Sequence, residues 1–254
     1  MANPGSGEGR AFEDLDRAWA EVRQQWPDGP DPIVVLFSGG VDSGLLAWEF
    51  RSHPGLILST VGTVGAEDLA LARSSASALG LRWVGTTVGA DDVRDVALEL
   101  GDLLLSVPAG RRTIFLALAI AIARAPPGTL VCGQGADELF LGYAHFRGLG
   151  PEELTARADA DLRQLTSVDW PLTVEIARRW GRTIQAPFLD PRFIAAASAI
   201  PIGQRGPNPE VKGLWRAWAR SRGLPEPLAS RPKRALQFGS GIDRIWKGIG
   251  PPVR

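Results

Sequence analysis

Cysteine is almost absent from this chain, since Cys132 is the single one among 254 residues. One thiol cannot form an intrachain disulfide, and no second cysteine is available for a Cys-x-x-Cys metal or sulfur-relay site. The sequence therefore excludes both kinds of site. Because Cys132 lies in a predicted strand, we interpret it as a small buried hydrophobic residue and not as a nucleophile.

The chain also lacks a net charge and long hydrophobic runs. Its 28 lysines and arginines balance 28 aspartates and glutamates, so no overall field attracts nucleic acid or a membrane surface. The longest apolar run of helical character, from Ile114 to Ala123, is far too short to span a bilayer. Residues 1–10 lack the apolar core of a signal peptide and indicate a disordered tail. We therefore expect a soluble, cytoplasmic protein without membrane or nucleic-acid partners.

Lysine and histidine are scarce as well. Lys212, Lys233 and Lys247 are the only lysines among the 28 basic residues. The arginine excess carries no functional information by itself, but it marks each lysine as a candidate functional residue. The two histidines, His53 and His145, show no spacing typical of a metal site or a catalytic triad. We interpret both as surface residues on helices.

One short segment, Ser38-Gly39-Gly40-Val41-Asp42-Ser43, stands between a predicted buried strand (33–37) and a predicted helix (44–51). Glycines let the backbone approach a ligand closely, and the free N–H groups of a helix start point at an anion. Ser38 and Ser43 add hydroxyl donors, and Asp42 adds a carboxylate that can hold Mg²⁺ against phosphate oxygens. The segment therefore predicts a phosphate-binding loop.

The alternative is a Ser/Gly turn that only caps a helix. The strand–turn–helix context favours the phosphate-binding interpretation. No lysine ends the loop, so it is not a Walker-type P-loop. It instead resembles the SGGxDS signature of the ATP pyrophosphatases, or PP-loop enzymes, which cleave ATP between the α and β phosphates.

The apolar pattern predicts an α/β protein. Strands are predicted at 33–37, 56–61, 81–88 and 129–132, and helices at 12–26, 44–51, 66–79, 91–100 and 111–125. This alternation favours a parallel sheet of about five strands with helices on both faces. From residue 151 we expect helices at 152–180, 191–200 and 210–222 and no convincing strand. The predicted domains are a nucleotide-binding core at 11–150 and a helical part at 151–254 packed on it.

A second glycine loop follows the fourth predicted strand, in the segment Gly133-Gln134-Gly135-Ala136-Asp137-Glu138-Leu139-Phe140-Leu141-Gly142-Tyr143. It places Asp137 at the carboxyl end of the sheet, where open α/β sheets bind ligands. The alternative is that Asp137 and Glu138 only complement a helix dipole. Together with the first loop, we favour a metal ion shared by Asp42 and Asp137.

This second segment resembles the GEGADELFGGY motif of the synthetase domain of glutamine-dependent asparagine synthetases. Ala186-Pro187-Phe188-Leu189-Asp190 resembles the R-x-PFLD segment of that family. Lys212 to Arg216 and Arg231-Pro232-Lys233 resemble its K-x-x-L-R and R-P-K elements. The matching segments occur in the same order as in the family and cover roughly residues 30 to 245. The resemblance extends to the related β-lactam synthetases.

The resemblance implies that ATP and Mg²⁺ are used to adenylate a small-molecule carboxylate, aspartate first, before ammonia or another amine displaces AMP. It implies that Phe37, Val61, Cys132 and Gly133 line the adenosine. Ser38, Gly39, Gly40, Val41, Asp42 and Ser43 would hold the pyrophosphate, with Asp42 and Asp137 as metal ligands. Lys233 matches the family lysine that stabilises charge in both half-reactions. Without the resemblance, Arg231 to Arg234 would be interpreted as a solvated basic run.

The sequence departs from the family pattern in several places. We expect a protein without the glutaminase domain that precedes the family's synthetase domain, because position 2 is Ala2 where mature enzymes expose a cysteine. Gln134 replaces a glutamate, and Gln185 replaces the arginine of R-x-PFLD, which leaves the carboxylate substrate open. We expect ammonia to arrive directly or from a separate glutaminase subunit.

Three hypotheses follow from the sequence. The first is an asparagine-synthetase-type ligase. The second keeps the adenylation but forms an amide on a biosynthetic or peptide carboxylate, and the third is a nucleotide-binding partner subunit without catalysis. RNA thiolation is disfavoured, because the chain lacks paired cysteines and a basic RNA-binding extension.

Overall fold

The computed structural model describes residues 7–26, 29, 31–206, 210–231 and 236–249. Its centre is a five-stranded sheet in the order β3-β2-β1-β4-β5, with every pair of neighbours parallel. The strands are Ile33–Leu36 (β1), Leu56–Gly62 (β2), Trp83–Thr87 (β3), Thr129–Val131 (β4) and Ile184–Gln185 (β5). The predicted α/β fold with a parallel sheet of about five strands is confirmed.

Helices connect the strands and fill the rest of the described chain. The longer ones are Gly7–Arg23 (α1), Val41–Glu49 (α2), Glu67–Leu79 (α3), Ala90–Leu100 (α4), Arg112–Arg124 (α6), Pro151–Gln164 (α8), Trp170–Arg179 (α9), Pro191–Ala199 (α10), Gly213–Ser221 (α12) and Ile242–Ile249 (α15). Those of four residues are Asp102–Leu105 (α5), Ala136–Leu139 (α7), Ile202–Arg205 (α11), Glu226–Ala229 (α13) and Leu236–Gly239 (α14). Within the described ranges, no helix has the length and apolar character needed to cross a membrane.

The order of the strands explains where a ligand is expected. β1 is central because its apolar residues are buried between β2 and β4, with Ile33 opposite both Leu56 and Thr129. The chain builds β2 and β3 on one side of β1 and then adds β4 on the other side. Ligands of open α/β sheets bind at the carboxyl ends of strands where the order reverses in this way. The loop that follows β1 therefore leaves the sheet at the favoured position.

Three local predictions are wrong. β5 lies where we expected no strand, because two residues carry no periodicity and the pairing of Ile184 with Leu130 defines the strand. α1 begins at Gly7, so residues 7–10 are helical and not part of a disordered tail. His53 is buried in the turn after α2, where its Nδ1 accepts a hydrogen bond from the N–H of Gly55 at 3.2 Å.

The helix predicted over 152–180 is interrupted by a π-helical turn at Leu165–Asp169, between α8 and α9. Pro171 explains the interruption, since proline lacks the N–H of a regular helix and its ring crowds the carbonyl four residues earlier. Widening the helix there relieves the clash. The side chain of His145, in a short 3₁₀ turn at Ala144–Phe146, is partly exposed and pairs with Asp161.

The described chain groups into two compact units that interleave along the sequence. The sheet unit comprises the described residues of 30–131, 172–185 and 231–249, and the aromatic unit those of 7–29, 132–171 and 186–230. The core of the aromatic unit consists of packed rings, with Trp215 stacked on Phe140 and edge-on to Phe188 at centroid distances of 4.5 and 4.8 Å. The predicted domain division at residue 150 stays a prediction.

Candidate nucleotide-binding site

The Ser38–Ser43 loop of the sheet unit is held in shape by its own hydroxyl groups. The N–H of Ser38 donates a hydrogen bond to Oγ of Ser43 at 3.2 Å, and the two serine hydroxyls lie 3.2 Å apart. The N–H of Gly40 is 3.4 Å from Oγ of Ser38. These contacts close the turn between β1 and α2. Ser38 and Ser43, predicted to act together, are brought together by the structure.

The conformation of Gly39 requires glycine. Its φ of 72° lies in the left-handed region, and a Cβ atom would lie 2.8 Å from Oγ of Ser75 and 3.2 Å from Cα of Ala72. Gly40, with φ −80° and ψ 176°, is the N-cap residue of α2. The loop therefore offers a bare, turned backbone at a helix N-terminus, which is suited to an anion.

Asp42 lies in the first turn of α2, is half-buried, and follows Val41, whose side chain is buried. Mg²⁺ in nucleotide sites is commonly held by one or two carboxylates and by phosphate oxygens. The carboxylates of Asp42 and Asp137 have the donor chemistry that this ion requires. Among the described residues, no three His, Cys, Asp or Glu side chains are grouped as a metal site. The sharing of one ion by Asp42 and Asp137 stays a prediction.

Phe37 and Val61 lie at the carboxyl end of β1 and within β2, with their side chains buried in the sheet unit. The N–H of Phe37 donates to the carbonyl of Ser59 at 2.7 Å, and the carbonyl of Phe37 accepts from Oγ1 of Thr60 at 2.6 Å. These hydrogen bonds fix the backbone that leads into the loop. That Phe37 and Val61 line an adenosine stays a prediction.

The second glycine loop belongs to the aromatic unit. Cys132 is buried, which raises the pKa of its thiol to about 12, and its Sγ lies 3.7 Å from Oε1 of Gln134. A thiol with this pKa is not ionised at neutral pH, so Cys132 is not a nucleophile. Gly133 and Gln134 are half-buried, and Gly135 has φ 100° with no room for a Cβ atom against Leu189. Their predicted roles toward adenosine and an incoming amine stay predictions.

Asp137 forms an ion pair that the sequence did not reveal. Its Oδ1 lies 2.7 Å from Nζ of Lys212, and the side chain of Lys212 is only 1% exposed. Gly142 packs against both side chains, because a Cβ atom there would overlap Oδ1 of Asp137 and Cε of Lys212. Lys212 itself has φ 59°, a conformation that costs a residue with a side chain about 1 kcal/mol. The pair is thus enclosed by the fold.

A hydrogen-bonded carboxylate lies next to this pair in the sequence. Oη of Tyr143 donates to Oε1 of Glu138 at 2.6 Å, and the ring of Tyr143 stacks on His145. Burial and then the charges of Asp137 and Glu138 raise the pKa of Tyr143 well above its ordinary value. Tyr143 is therefore a neutral hydrogen-bond donor at any working pH. It fixes Glu138, which is buried, in one orientation.

The segment that resembles PFLD forms a short 3₁₀ turn at Pro187–Leu189 and then begins α10. Asp190 is the N-cap residue of α10, accepting from the N–H of Arg192, and also pairs with that guanidinium at 2.7 Å. The hydrogen bond from the Arg192 side chain lowers the pKa of Asp190. Asp190 therefore stabilises the N-terminus of α10. Gln185 is exposed on β5.

Lys233, predicted to act on developing charge, lies outside the described residues. The alternative interpretation of residues 231–234 as a solvated basic run is wrong for Arg231. Arg231 is only partly exposed, its pKa is lowered by burial, and Nη1 lies against Gly39 of the first loop. No sequence signal marked Asp68, a buried carboxylate in the first turn of α3 whose charge acts on Arg231.

Comparisons with known proteins place the chain in a family. The asparagine synthase family model matches residues 21–169 and 153–245. A protein of Methanocaldococcus jannaschii, provisionally named asparagine synthetase (glutamine-hydrolysing) 1, is 28% identical over 92% of this chain and 50% of its own length. The glutamine-hydrolysing asparagine synthetase of Sandersonia aurantiaca is 26% identical over 93% of this chain and 48% of its own length.

The chain thus spans about half the length of these curated relatives. Among solved structures, an NH₃-dependent NAD synthetase of Campylobacter jejuni aligns with 77% of this chain and 93% of its own, at 16% identity and a TM-score of 0.34. The family model covers most of the described residues and both glycine loops. The chain belongs to the asparagine synthase family, whose members are ATP-dependent adenylating proteins.

Proposed function

We propose that this protein is an ATP- and Mg²⁺-dependent ligase that forms an amide. A carboxylate, with aspartate as the first candidate, attacks the α-phosphorus of ATP, and the bond between the α-phosphorus and the bridging oxygen breaks to release pyrophosphate. Ammonia or another amine then attacks the acyl carbon and AMP leaves. The observation that carries the proposal is the Ser38–Ser43 loop, a left-handed glycine turn between a central parallel strand and a helix N-terminus.

The loop is suited to the first step because pyrophosphate carries the charge that develops as the bond breaks. N–H groups and hydroxyls that are held in place before the reaction stabilise such charge without having to reorient. The hydrogen bonds between Ser38 and Ser43 keep the turn in that arrangement. Asp42, and Asp137 as the second predicted ligand, would hold Mg²⁺, which supplies charge neutralisation when bound. Lys233 is the proposed cation for both steps.

Gln134 bears on the second step. An amide side chain offers one acceptor and two donors, so it can orient a neutral amine but cannot remove its proton. In the family pattern a glutamate stands at this position. We propose that ammonia attacks as the free base, so that amide formation increases with pH toward the pKa of ammonium.

A second candidate is an amide ligase that uses a biosynthetic or peptide carboxylate, as the β-lactam synthetases do. Gln134 and Gln185 favour it, because both replace ionisable residues of the asparagine synthetase pattern. A third candidate is a nucleotide-binding subunit without catalysis. A separate glutaminase subunit would serve as the ammonia source in the first case.

The test is analysis of the products formed from ATP, followed by an ATP–pyrophosphate exchange assay. With Mg²⁺, ATP, aspartate and ammonium, we expect AMP and pyrophosphate; ADP and phosphate would overturn the proposal. ATP–pyrophosphate exchange with aspartate, and asparagine formation across pH in the native protein and in Gln134→Glu, identify the substrates. Exchange with a different carboxylate would support the second candidate, and ATP binding without exchange on any carboxylate would support the third.

A further inference from the structure

Arg231 lies against the first glycine loop. Nη1 of Arg231 would be 2.5 Å from a Cβ atom at Gly39, so the guanidinium occupies the space beside this glycine. The same nitrogen is 3.4 Å from Oγ of Ser75, whose hydroxyl is 3.5 Å from the carbonyl of Gly39. These are long contacts, but they place a permanent positive charge at the turn that is suited to an anion.

Asp68 is the charged group that acts on this guanidinium. It is 4% exposed, in the first turn of α3, and its carboxylate packs so closely on Gly239 that a Cβ atom there would overlap both carboxylate oxygens. Burial raises the pKa of Asp68 and the charge of Arg231 lowers it, with a net value of about 6. At neutral pH Asp68 is therefore mostly ionised and attracts Arg231.

Two of the described residues after Arg231, Ser240 and Gly241, contact Thr63 at the carboxyl end of β2. The N–H of Thr63, directly after β2, donates to the carbonyl of Ser240 at 2.8 Å. Gly241, with φ 77°, lies against Oγ1 of Thr63 without room for a Cβ atom. Residues 240 and 241 thus lie at the carboxyl end of β2, and Arg231 itself contacts Ser75 and Gly39.

We propose that Arg231 is a phosphate-binding residue of the nucleotide site and that Asp68 positions its guanidinium. The proposal rests on the proposed function, because it assumes that the loop holds the phosphate chain of ATP. A planar guanidinium with several donors matches phosphate oxygens and stays charged at every working pH. The charge of the buried Asp68 carboxylate favours positions of the guanidinium near it, which reduces the conformational entropy lost when the anion binds.

The test compares three probes in the presence of Mg²⁺: ATP, inorganic pyrophosphate and adenosine. In Arg231→Gln we expect the affinities for ATP and pyrophosphate to fall at least tenfold, with the adenosine affinity unchanged. Arg73→Gln, which removes an exposed arginine from α3, is the matched control and should change none of the three. An unchanged pyrophosphate affinity in Arg231→Gln would overturn the proposal, as would an equal loss for pyrophosphate and adenosine.

A second variant covers the case in which Arg231→Gln does not fold. Arg231→Lys keeps the charge but loses the fork of donors, so we expect a threefold to tenfold loss of pyrophosphate affinity. No loss would contradict the proposal. The role of Asp68 is tested by a double-mutant cycle, in which Asp68→Asn weakens pyrophosphate binding alone but adds little to Arg231→Gln. Full additivity would show that Asp68 does not act through Arg231.

Lys233→Ala separates this role from catalysis. We expect Lys233→Ala to lose at least two orders of magnitude in turnover with little change in ATP affinity, because a cation that acts on transition-state charge contributes about 3 kcal/mol to the barrier. Lys247→Ala removes an exposed lysine and is its control. A native protein that binds no ATP would end the proposed function and this inference together. Native ATP binding with an unaffected Arg231→Gln would end the inference alone.

Discussion

The two glycine loops of this protein look alike in sequence but are stabilised differently. The Ser38–Ser43 loop is closed by two serines five residues apart and continues into a nine-residue helix. The loop at Gly133–Asp137 continues into a four-residue helix, and its aspartate is enclosed by Lys212, which is 75 positions away in the sequence. The first loop is therefore closed by local hydrogen bonds, with Ser75 and Arg231 packed against it, whereas the aspartate of the second loop is held by an ion pair that is distant in the sequence.

This difference predicts which residues can be replaced without loss of the fold. A residue that acts on a ligand from a locally closed loop contributes little to stability. A residue in an enclosed ion pair contributes to stability whether or not it also binds a ligand. Substitutions in the two loops should therefore separate activity from stability in different ways.

The largest expected effect is that of Asp42→Asn on turnover. We expect AMP formation to fall by roughly three orders of magnitude, because a lost metal ligand leaves the charge of the leaving pyrophosphate unneutralised. The melting temperature should barely change, since Asp42 is half-buried at the start of α2. Asp91→Asn, in the first turn of α4, is the matched control. Near-native turnover in Asp42→Asn would remove this residue from the site.

The second prediction concerns the stability of the second loop. Lys212→Met leaves the carboxylate of Asp137 without its buried counter-charge, so the free energy of unfolding should fall by about 3–5 kcal/mol in urea titrations. Lys247→Met breaks an exposed pair with Asp243 and should cost less than about 1 kcal/mol. Adding Asp137→Asn to Lys212→Met should recover part of the loss. A loss below about 1 kcal/mol in Lys212→Met would show that the two loops do not differ in this respect.

The smallest effect is expected from Asp68, beside the first loop. Burial raises its pKa to about 6, above the ordinary value near 4, so the folded protein keeps a proton that the unfolded chain has lost between these pH values. The free energy of unfolding should therefore fall as the pH rises from about 4 to 6, by at most about 3 kcal/mol from this group. Asp68→Asn should flatten this part of the profile, measured by urea titration.

Asp95→Asn, which removes an exposed carboxylate from α4, is the control for that profile and should leave its slope as in the native protein. If Asp68→Asn and the native protein lose stability equally between pH 4 and 6, Asp68 is not the group that titrates.

The difference between the two glycine loops also explains which features of the site could be predicted from the sequence. The Ser38–Ser43 loop was predictable because its glycines, serines and flanking strand and helix are contiguous. Asp137 and Lys212 were both noted, but their pairing depends on the close approach that Gly142 permits, and no spacing encodes it. Arg231 was noted only as part of the R-P-K resemblance, because a run of basic residues does not reveal that one of them is half-buried against Gly39.

Leu141 shows how a departure from a familiar motif can go unnoticed. It stands where the GEGADELFGGY pattern has glycine, and its φ of 53° is the left-handed conformation that glycine adopts without cost. The strain of about 1 kcal/mol is offset by burial of its side chain with Phe146, Leu154 and Ala158, which is worth about 2 kcal/mol. At this position the free energy gained by burying the Leu141 side chain thus exceeds the cost of its left-handed backbone conformation.

The interleaving of the two units has a consequence for synthesis on the ribosome. β4 gains its outer neighbour only when Ile184 and Gln185 have emerged, so nascent chains that are shorter carry β4 as an open sheet edge. The sheet unit also requires residues from 231 onward, which emerge after the whole described aromatic unit. The sheet unit therefore cannot fold to completion until the whole described aromatic unit has been translated. The sheet unit folds only after residues 231–249 have emerged, and chains truncated before residue 184 are expected to aggregate through the β4 edge.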